Sequence, residues 1–357
     1  MALVRGIPFR WIAIAAGWAI CLFSSALAKC HNGPFITELQ AVQETAKRVA
    51  QNPSLAKGVL PKAKPCVLFV FRHLLKTGGT TVLRTLQRNR EFRRLKSGAW
   101  NPECFSEWSK KYLWDDEWAR RNPYLWVEFH IAREKDVFLD FMNQLETYRH
   151  VAKRRGCEVV VATFLREPGL NLLSDFYHFQ KCCQASNFTK FMLENEELQI
   201  SQLLACSDVP TCRGHYPKAH VFRGPHVRTT RRVRWTLLQS VNRLLGDMDL
   251  VGITDHWKES MLLLADALGL QHFSLGFKAQ PADRENYPTG TNSSTLMGGE
   301  HRAQVQRYRE VHAPLSMQLY EQWRERLDQR VVESGNEFRQ RMDSITQQLL
   351  AMGRVWT

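Results

Sequence analysis

Lys76-Thr-Gly-Gly-Thr-Thr81 puts one cation, two glycines and three hydroxyls into six residues. A glycine pair lets the backbone fold tightly and turn successive N–H groups outward. At the start of a helix those groups and the helix dipole favour an anion. Lys76 adds a full positive charge, and Thr80 and Thr81 add hydroxyl donors. The chemistry this suits is the cradling of a phosphate or sulfate ester. It is not the P-loop pattern of nucleotide triphosphatases, because the lysine precedes Gly78 and Gly79 and the GxxxxGK[ST] spacing is absent. A second group begins at Arg166, with Ser174 eight residues later and Tyr177, His178 and Gln180 beyond it. An arginine can grip a phosphate with two parallel hydrogen bonds. Taken one at a time, these residues read as a threonine-capped turn, a surface arginine and a solvent-facing serine. They carry information as a pair of clusters.

The surrounding pattern says what must position them. Cys66-Val-Leu-Phe-Val-Phe71 is a short apolar run rich in β-branched and aromatic residues, which predicts a buried parallel strand. The glycine turn follows, then a helix over 80–90. Tyr124–Phe129 is a second strand, 136–155 has apolar residues at helical spacing, and Glu158–Leu165 is the clearest strand. A helix opens at Pro168, where a proline is tolerated. Asp249–Ile253 is a further strand, followed by an amphipathic helix over 257–268. From about Ala313 the chain is charged and helical. Strands alternating with helices predict an α/β fold, in three layers around a mostly parallel sheet. Lys76 follows one predicted strand and Arg166 ends another, and ligands of open α/β sheets bind at that edge.

His73-Leu-Leu-Lys-Thr-Gly-Gly-Thr-Thr81 resembles the 5′-phosphosulfate loop of carbohydrate sulfotransferases, in particular the heparan sulfate 6-O- and 2-O-sulfotransferase group. Leu165-Arg-Glu-Pro-Gly-Leu-Asn-Leu-Leu-Ser-Asp-Phe-Tyr-His-Phe-Gln180 resembles the same group's 3′-phosphate motif. The likeness covers roughly residues 66–270. Asn171 stands where the family usually has a second arginine, and residues 181–248 align with no member. The resemblance implies the donor 3′-phosphoadenosine 5′-phosphosulfate, a phosphosulfate-binding strand–loop–helix, no required metal, and transfer of a sulfuryl group to a glycan hydroxyl. It puts Lys76, Thr77, Gly78, Gly79, Thr80 and Thr81 on the 5′-phosphosulfate and Arg166 and Ser174 on the 3′-phosphate. Lys76 would also stabilise charge on the leaving nucleotide. A histidine base suits neutral pH. His130, just past the strand 124–129, is the first choice; Glu128 and His73 are the alternatives.

The chain has 357 residues, with 49 Lys+Arg against 35 Asp+Glu, and 44% of it is hydrophobic. That composition excludes wholesale disorder and a polytopic membrane protein. Residues 11–28 are uncharged and follow Arg5 and Arg10, so they read as a signal-anchor with 1–10 cytosolic, or as a cleaved signal ending near Ala28. A stem over 29–65, a sulfotransferase domain over 66–330 and a helical tail over 331–357 complete the expected order. The resemblance adds a Golgi membrane address with the domain in the lumen. Outside the apolar run there are eight cysteines, an even number, which suits disulfides in such a compartment; Cys206 and Cys212 are one candidate pair. Asn187 and Asn292 begin glycosylation sequons. Between Arg213 and Arg243 there are eight Lys/Arg and no acid. This block, with Arg228, Arg231 and Arg232 at its centre, suits an anionic glycan acceptor, and the expected lumenal address argues against nucleic acid. Two other readings stay open: a lumenal lectin for anionic glycans, and a nucleotide-dependent kinase.

Overall fold

The computed structural model describes residues 64–88, 93–94, 102–129, 137–183, 187–204, 231–270 and 301–351. All of them belong to one compact unit, Val59–Thr357. The expected anchor, the Cys206–Cys212 pair, Asn292, His130 and Arg228 lie outside the described residues. Among the described residues no helix is long and apolar enough to cross a membrane.

The predicted strands form one sheet. They are β1 (Val67–Arg72), β3 (Tyr124–Phe129), β4 (Glu158–Leu165) and β5 (Leu250–Ile253), with a two-residue edge strand β2 (Arg93–Arg94). The order is β2-β3-β1-β4-β5, and every pairing is parallel. All six residues of β1 are buried, as are all of β4 past Glu158, so helices cover both faces of the centre. This is why these strands read as unbroken apolar runs rather than alternating ones.

On the amino side of the sheet, Cys66 and Cys157 form a disulfide with Cα atoms 4.5 Å apart. Each cysteine immediately precedes a central strand, and the ladder that pairs Val67 with Glu158 sets the two side by side.

Helix α1 (Gly79–Arg88) follows β1; α2 (Pro102–Trp114) and α3 (Asp116–Arg121) lead into β3. The helical pattern over 136–155 resolves into α4 (Val137–Asn143) and α5 (Leu145–Arg154), broken at Gln144. After β4 come α6 (Pro168–Cys183), α7 (Phe188–Glu194), α8 (Leu198–Leu204) and α9 (Arg231–Gly246). The sequon residue Asn187 is exposed and caps α7, its side-chain oxygen accepting from Lys190 N at 3.0 Å. After β5 come α10 (Trp257–Leu268), α11 (Arg302–Arg307), a π-helical turn (Tyr308–His312), α12 (Pro314–Glu333) and α13 (Gly335–Ala351). Residues past 331 pack onto the domain: Phe338 is buried, and the Arg341 guanidinium meets Asp266 of α10.

The topology sets where the loops part at one edge of the sheet. From β1 the chain moves to the β2–β3 side of the sheet, and from β4 it moves to the β5 side. Loops therefore diverge between the carboxyl ends of β1 and β4, and open α/β sheets bind ligands in the crevice this leaves.

Candidate functional site

The Lys76 loop follows β1 and Arg166 follows β4, so both stand at that divergence. The structure brings them into contact: the Arg166 Nη1 donates to the Lys76 carbonyl at 3.0 Å. Lys76 has φ +59°, the left-handed region that side chains other than glycine rarely adopt. Such a conformation costs on the order of 1–3 kcal/mol and persists only where surroundings hold it. Here side chains from two other elements do so. Asn171 of α6 donates to the Leu75 carbonyl at 2.8 Å, and Gln202 of α8 accepts from Leu75 N at 3.0 Å. Gln199, also on α8, accepts from Arg166 N and donates to Arg166 O, which fixes the residue that grips Lys76.

Two glycines allow the loop to lie where it does. Gly78 has φ +86°, and a Cβ there would meet the Trp257 ring at 2.6 Å. A Cβ at Gly79 would fall 2.0 Å from Cδ2 and Nε2 of His73. The His73 ring is therefore pressed against the first residue of α1. It is held there by Glu128 of β3, whose Oε1 is 2.6 Å from His73 Nδ1, with both side chains buried. Gly78 O accepts from the N–H groups of Thr81 and Val82, so α1 starts directly from the loop. The first N–H groups of a helix have no intrahelical acceptor, and this helix starts within three residues of Lys76.

The other sequence candidates fall into place unevenly. Thr80 is exposed and Thr81 half-buried at the mouth of the loop. Thr77 is fully buried, and its hydroxyl donates back to the Leu74 carbonyl at 3.0 Å, so only its backbone can face a ligand. Ser174 is buried on α6. Asn171 does not take the outward place of an arginine; its side chain clips the loop from beneath. Of the base candidates, Glu128 and His73 are brought together as a buried pair, while His130 follows β3 directly in sequence. Arg231 and Arg232 open α9, and nothing further is described of their side chains.

Sequence reasoning missed Gln199, Gln202 and Asp175. The two glutamines are spaced i, i+3 within Leu-Gln-Ile-Ser-Gln-Leu-Leu204, a polar pair inside a buried apolar helix, and that contrast was the available signal. Asp175 lies inside the second motif. It is buried on α6 with the Lys76 ammonium as the charge facing it. Burial pushes its carboxyl up to about 7, and the Lys76 charge opposes that rise. A carboxyl poised near neutrality inside a cleft is a recurrent mark of functional sites.

A cleft of about 630 Å³ opens on the same sheet edge, lined by Glu167, Asp255, Arg309, Tyr320, Glu321 and Arg324 among others. Glu167 is the residue after Arg166. Its carboxylate accepts from Gly169 N and Leu170 N and pairs with both Nε and Nη2 of Arg309. Asp255, just past β5, accepts from the Tyr320 hydroxyl. Among the described residues no three His, Cys, Asp or Glu side chains gather as a metal site. Comparison with family models and with curated proteins returned no match for this chain.

Proposed function

We propose that the protein transfers a sulfuryl group from 3′-phosphoadenosine 5′-phosphosulfate to a glycan hydroxyl. The observation that carries this reading is the strained Lys76 turn, joined to Arg166 at the point where the sheet's connections diverge. The two motifs that resemble those of carbohydrate sulfotransferases are far apart in sequence, and they meet where an α/β sheet binds its ligand. The loop N–H groups of α1 and the Lys76 ammonium receive the phosphosulfate, and Arg166 with Ser174 receives the 3′-phosphate. The acceptor oxygen attacks sulfur in line, the bond from sulfur to the bridging oxygen breaks, and Lys76 stabilises the charge that develops on the nucleotide. The hydroxyl proton passes to His130, the residue that follows β3 in sequence. His73 and Glu128, locked together beneath Gly79, serve as the clasp that sets the start of α1. The cleft beside Glu167 offers hydrogen-bonding side chains and the Tyr320 ring to an acceptor sugar. The Cys66–Cys157 disulfide fits a lumenal domain carried by an N-terminal Golgi anchor, since such bonds persist in oxidising compartments.

The test is thermal melting of the detergent-solubilised full chain with adenosine 3′,5′-bisphosphate, with ATP·Mg²⁺ and a heparin oligosaccharide run alongside. A ligand that binds only the folded state raises the melting temperature as its concentration passes its dissociation constant. We expect stabilisation by the bisphosphate that Lys76→Ala and Arg166→Ala weaken, and loss of sulfuryl transfer in Lys76→Ala. Stabilisation by ATP·Mg²⁺ alone would make the chain a kinase, and by the oligosaccharide alone a lectin.

A further inference from the structure

The loop rests on a face of α6 that has no obvious reason to be acidic. Asn171 and Asp175 are one helical turn apart and both fully enclosed, at 0% and 2% exposure. Asn171 binds the Leu75 carbonyl, which places this face directly under the turn that carries Lys76. The Oδ1 atoms of both Asn171 and Asp175 are buried with no hydrogen-bond partner. Orphaned buried acceptors are rare and call for an explanation. A carboxylate under an anion cradle is the more unusual of the two, because it repels the ligand the cradle would hold.

Among the described residues, Lys76 and Tyr308 are titratable groups coupled to Asp175 through charge. Lys76 comes from the loop, and Tyr308 from the π-helical turn, where its hydroxyl donates to the Asn195 carbonyl at 2.8 Å. Glu167 and Glu197 stand beyond Tyr308, and both are already engaged. Arg309 and two backbone N–H groups hold Glu167; Leu315 N, Ser316 N and the Ser316 hydroxyl hold Glu197. Among the described residues, Lys76 is the cation whose charge acts on Asp175, at longer range than a direct ion pair.

We propose that Asp175 is a positioning residue for Lys76. Its carboxylate holds the ammonium over the loop until an anion arrives, and it takes up a proton as Lys76 turns to the anion. The inference rests on the reading of this loop as the donor's anion site. A single ammonium cannot neutralise both partners. Once a sulfate or phosphate engages it, a buried carboxylate loses its counter-charge and gains a like charge nearby, and both changes favour protonation. The proton comes from solvent, no bond is formed or broken, and the net charge brought into the site is reduced by one. The sign of the pH dependence follows. With Asp175 poised near 7 before binding and higher after it, affinity is greatest below neutrality. It falls by up to tenfold per pH unit above it, until the bound-state value is passed.

Titration calorimetry of the solubilised full chain with adenosine 3′,5′-bisphosphate, in two buffers of different ionisation heat at pH 7.5, counts the protons exchanged. The ligand's own phosphates titrate near pH 6, and cationic partners make them release protons, so net uptake must come from the protein. We expect uptake approaching one proton, affinity about tenfold weaker at pH 8.5 than at 6.5, and in Asp175→Asn neither the uptake nor that part of the slope. Binding with no uptake, or the same count and slope in Asp175→Asn, overturns the role of Asp175 and leaves the donor site standing. Failure of the wild type to bind the bisphosphate at any pH removes the site and this inference together. If Asp175→Asn does not fold, the wild-type proton count decides.

Discussion

Gly79→Ala adds one methyl group to the start of α1, where it would lie 2.0 Å from Cδ2 and Nε2 of His73. Ordinary carbon contacts begin near 3.4 Å, so the ring must move by more than an ångström. It is not free to do so. Its Nδ1 is 2.6 Å from Glu128 Oε1, and its face lies 5.6 Å from the Phe71 ring centre. Forcing extra volume into a packed site costs about 1–3 kcal/mol. Disturbing a hydrogen bond to a buried charged group costs roughly 1.5–3 kcal/mol more. The expected loss is thus about 2.5–6 kcal/mol, a large fraction of the ~5–15 kcal/mol that holds a typical domain together. The assay is urea unfolding of wild type, Gly79→Ala, His73→Ala and the double variant. In the His73→Ala background the methyl enters vacated space, and alanine is the better helix former by about 1 kcal/mol. Gly79→Ala should then cost less than about 1 kcal/mol, giving a coupling of at least ~1.5 kcal/mol between the two positions. Equal destabilisation in both backgrounds would show that the ring does not press on Gly79, and would undo the account of how the loop is set.

Reduction, or Cys66→Ser with Cys157→Ser, opens a loop spanning 91 residues. Loop-closure entropy for that span gives roughly 4.6 kcal/mol as an upper value, and we expect a loss of about 3–4.5 kcal/mol. A urea midpoint unchanged by reductant would mean that the two strands need no covalent tie. Arg166→Lys keeps the charge but loses the planar fork that can hold the Lys76 carbonyl and an anion together. Affinity for adenosine 3′,5′-bisphosphate should fall by about 1.5–3 kcal/mol in calorimetry. Full affinity in Arg166→Lys would mean that charge alone suffices there.

The parts of the fold that were legible in the sequence are those whose signal is local. β3, β4 and α10 run over the residues expected, because each is an apolar run or stripe bounded by polar residues and long enough to show its period. The helical pattern over 136–155 hid a break at Gln144, since its apolar positions continue in phase on either side. Helices α7 and α8 have seven residues each, too short for periodicity, and buried Gln199 and Gln202 interrupt the apolar face of α8. The site divides the same way. Glycines, lysine and threonines between an apolar run and a helical stretch mark the strand–loop–helix junction that the structure contains. Nothing in spacing tells that Thr77 turns inward, or that Arg166 reaches a carbonyl 90 residues away. Those depend on which strands become neighbours, and the pairing of β1 with both β3 and β4 is decided by the whole sheet.

Helix α13 gives the chain's end a part in the site at its beginning. Phe338 is enclosed and Arg341 grips Asp266, so the last helix braces the outer side of α10. The opening residue of α10 is Trp257, whose ring lies against Gly78. Shortening the protein by its final twenty-odd residues would leave every motif intact and still release the wall behind the loop. Damage at the carboxyl terminus would therefore present in assays as poor ligand binding. A reader looking only at the motif would search for its cause at the wrong end of the chain.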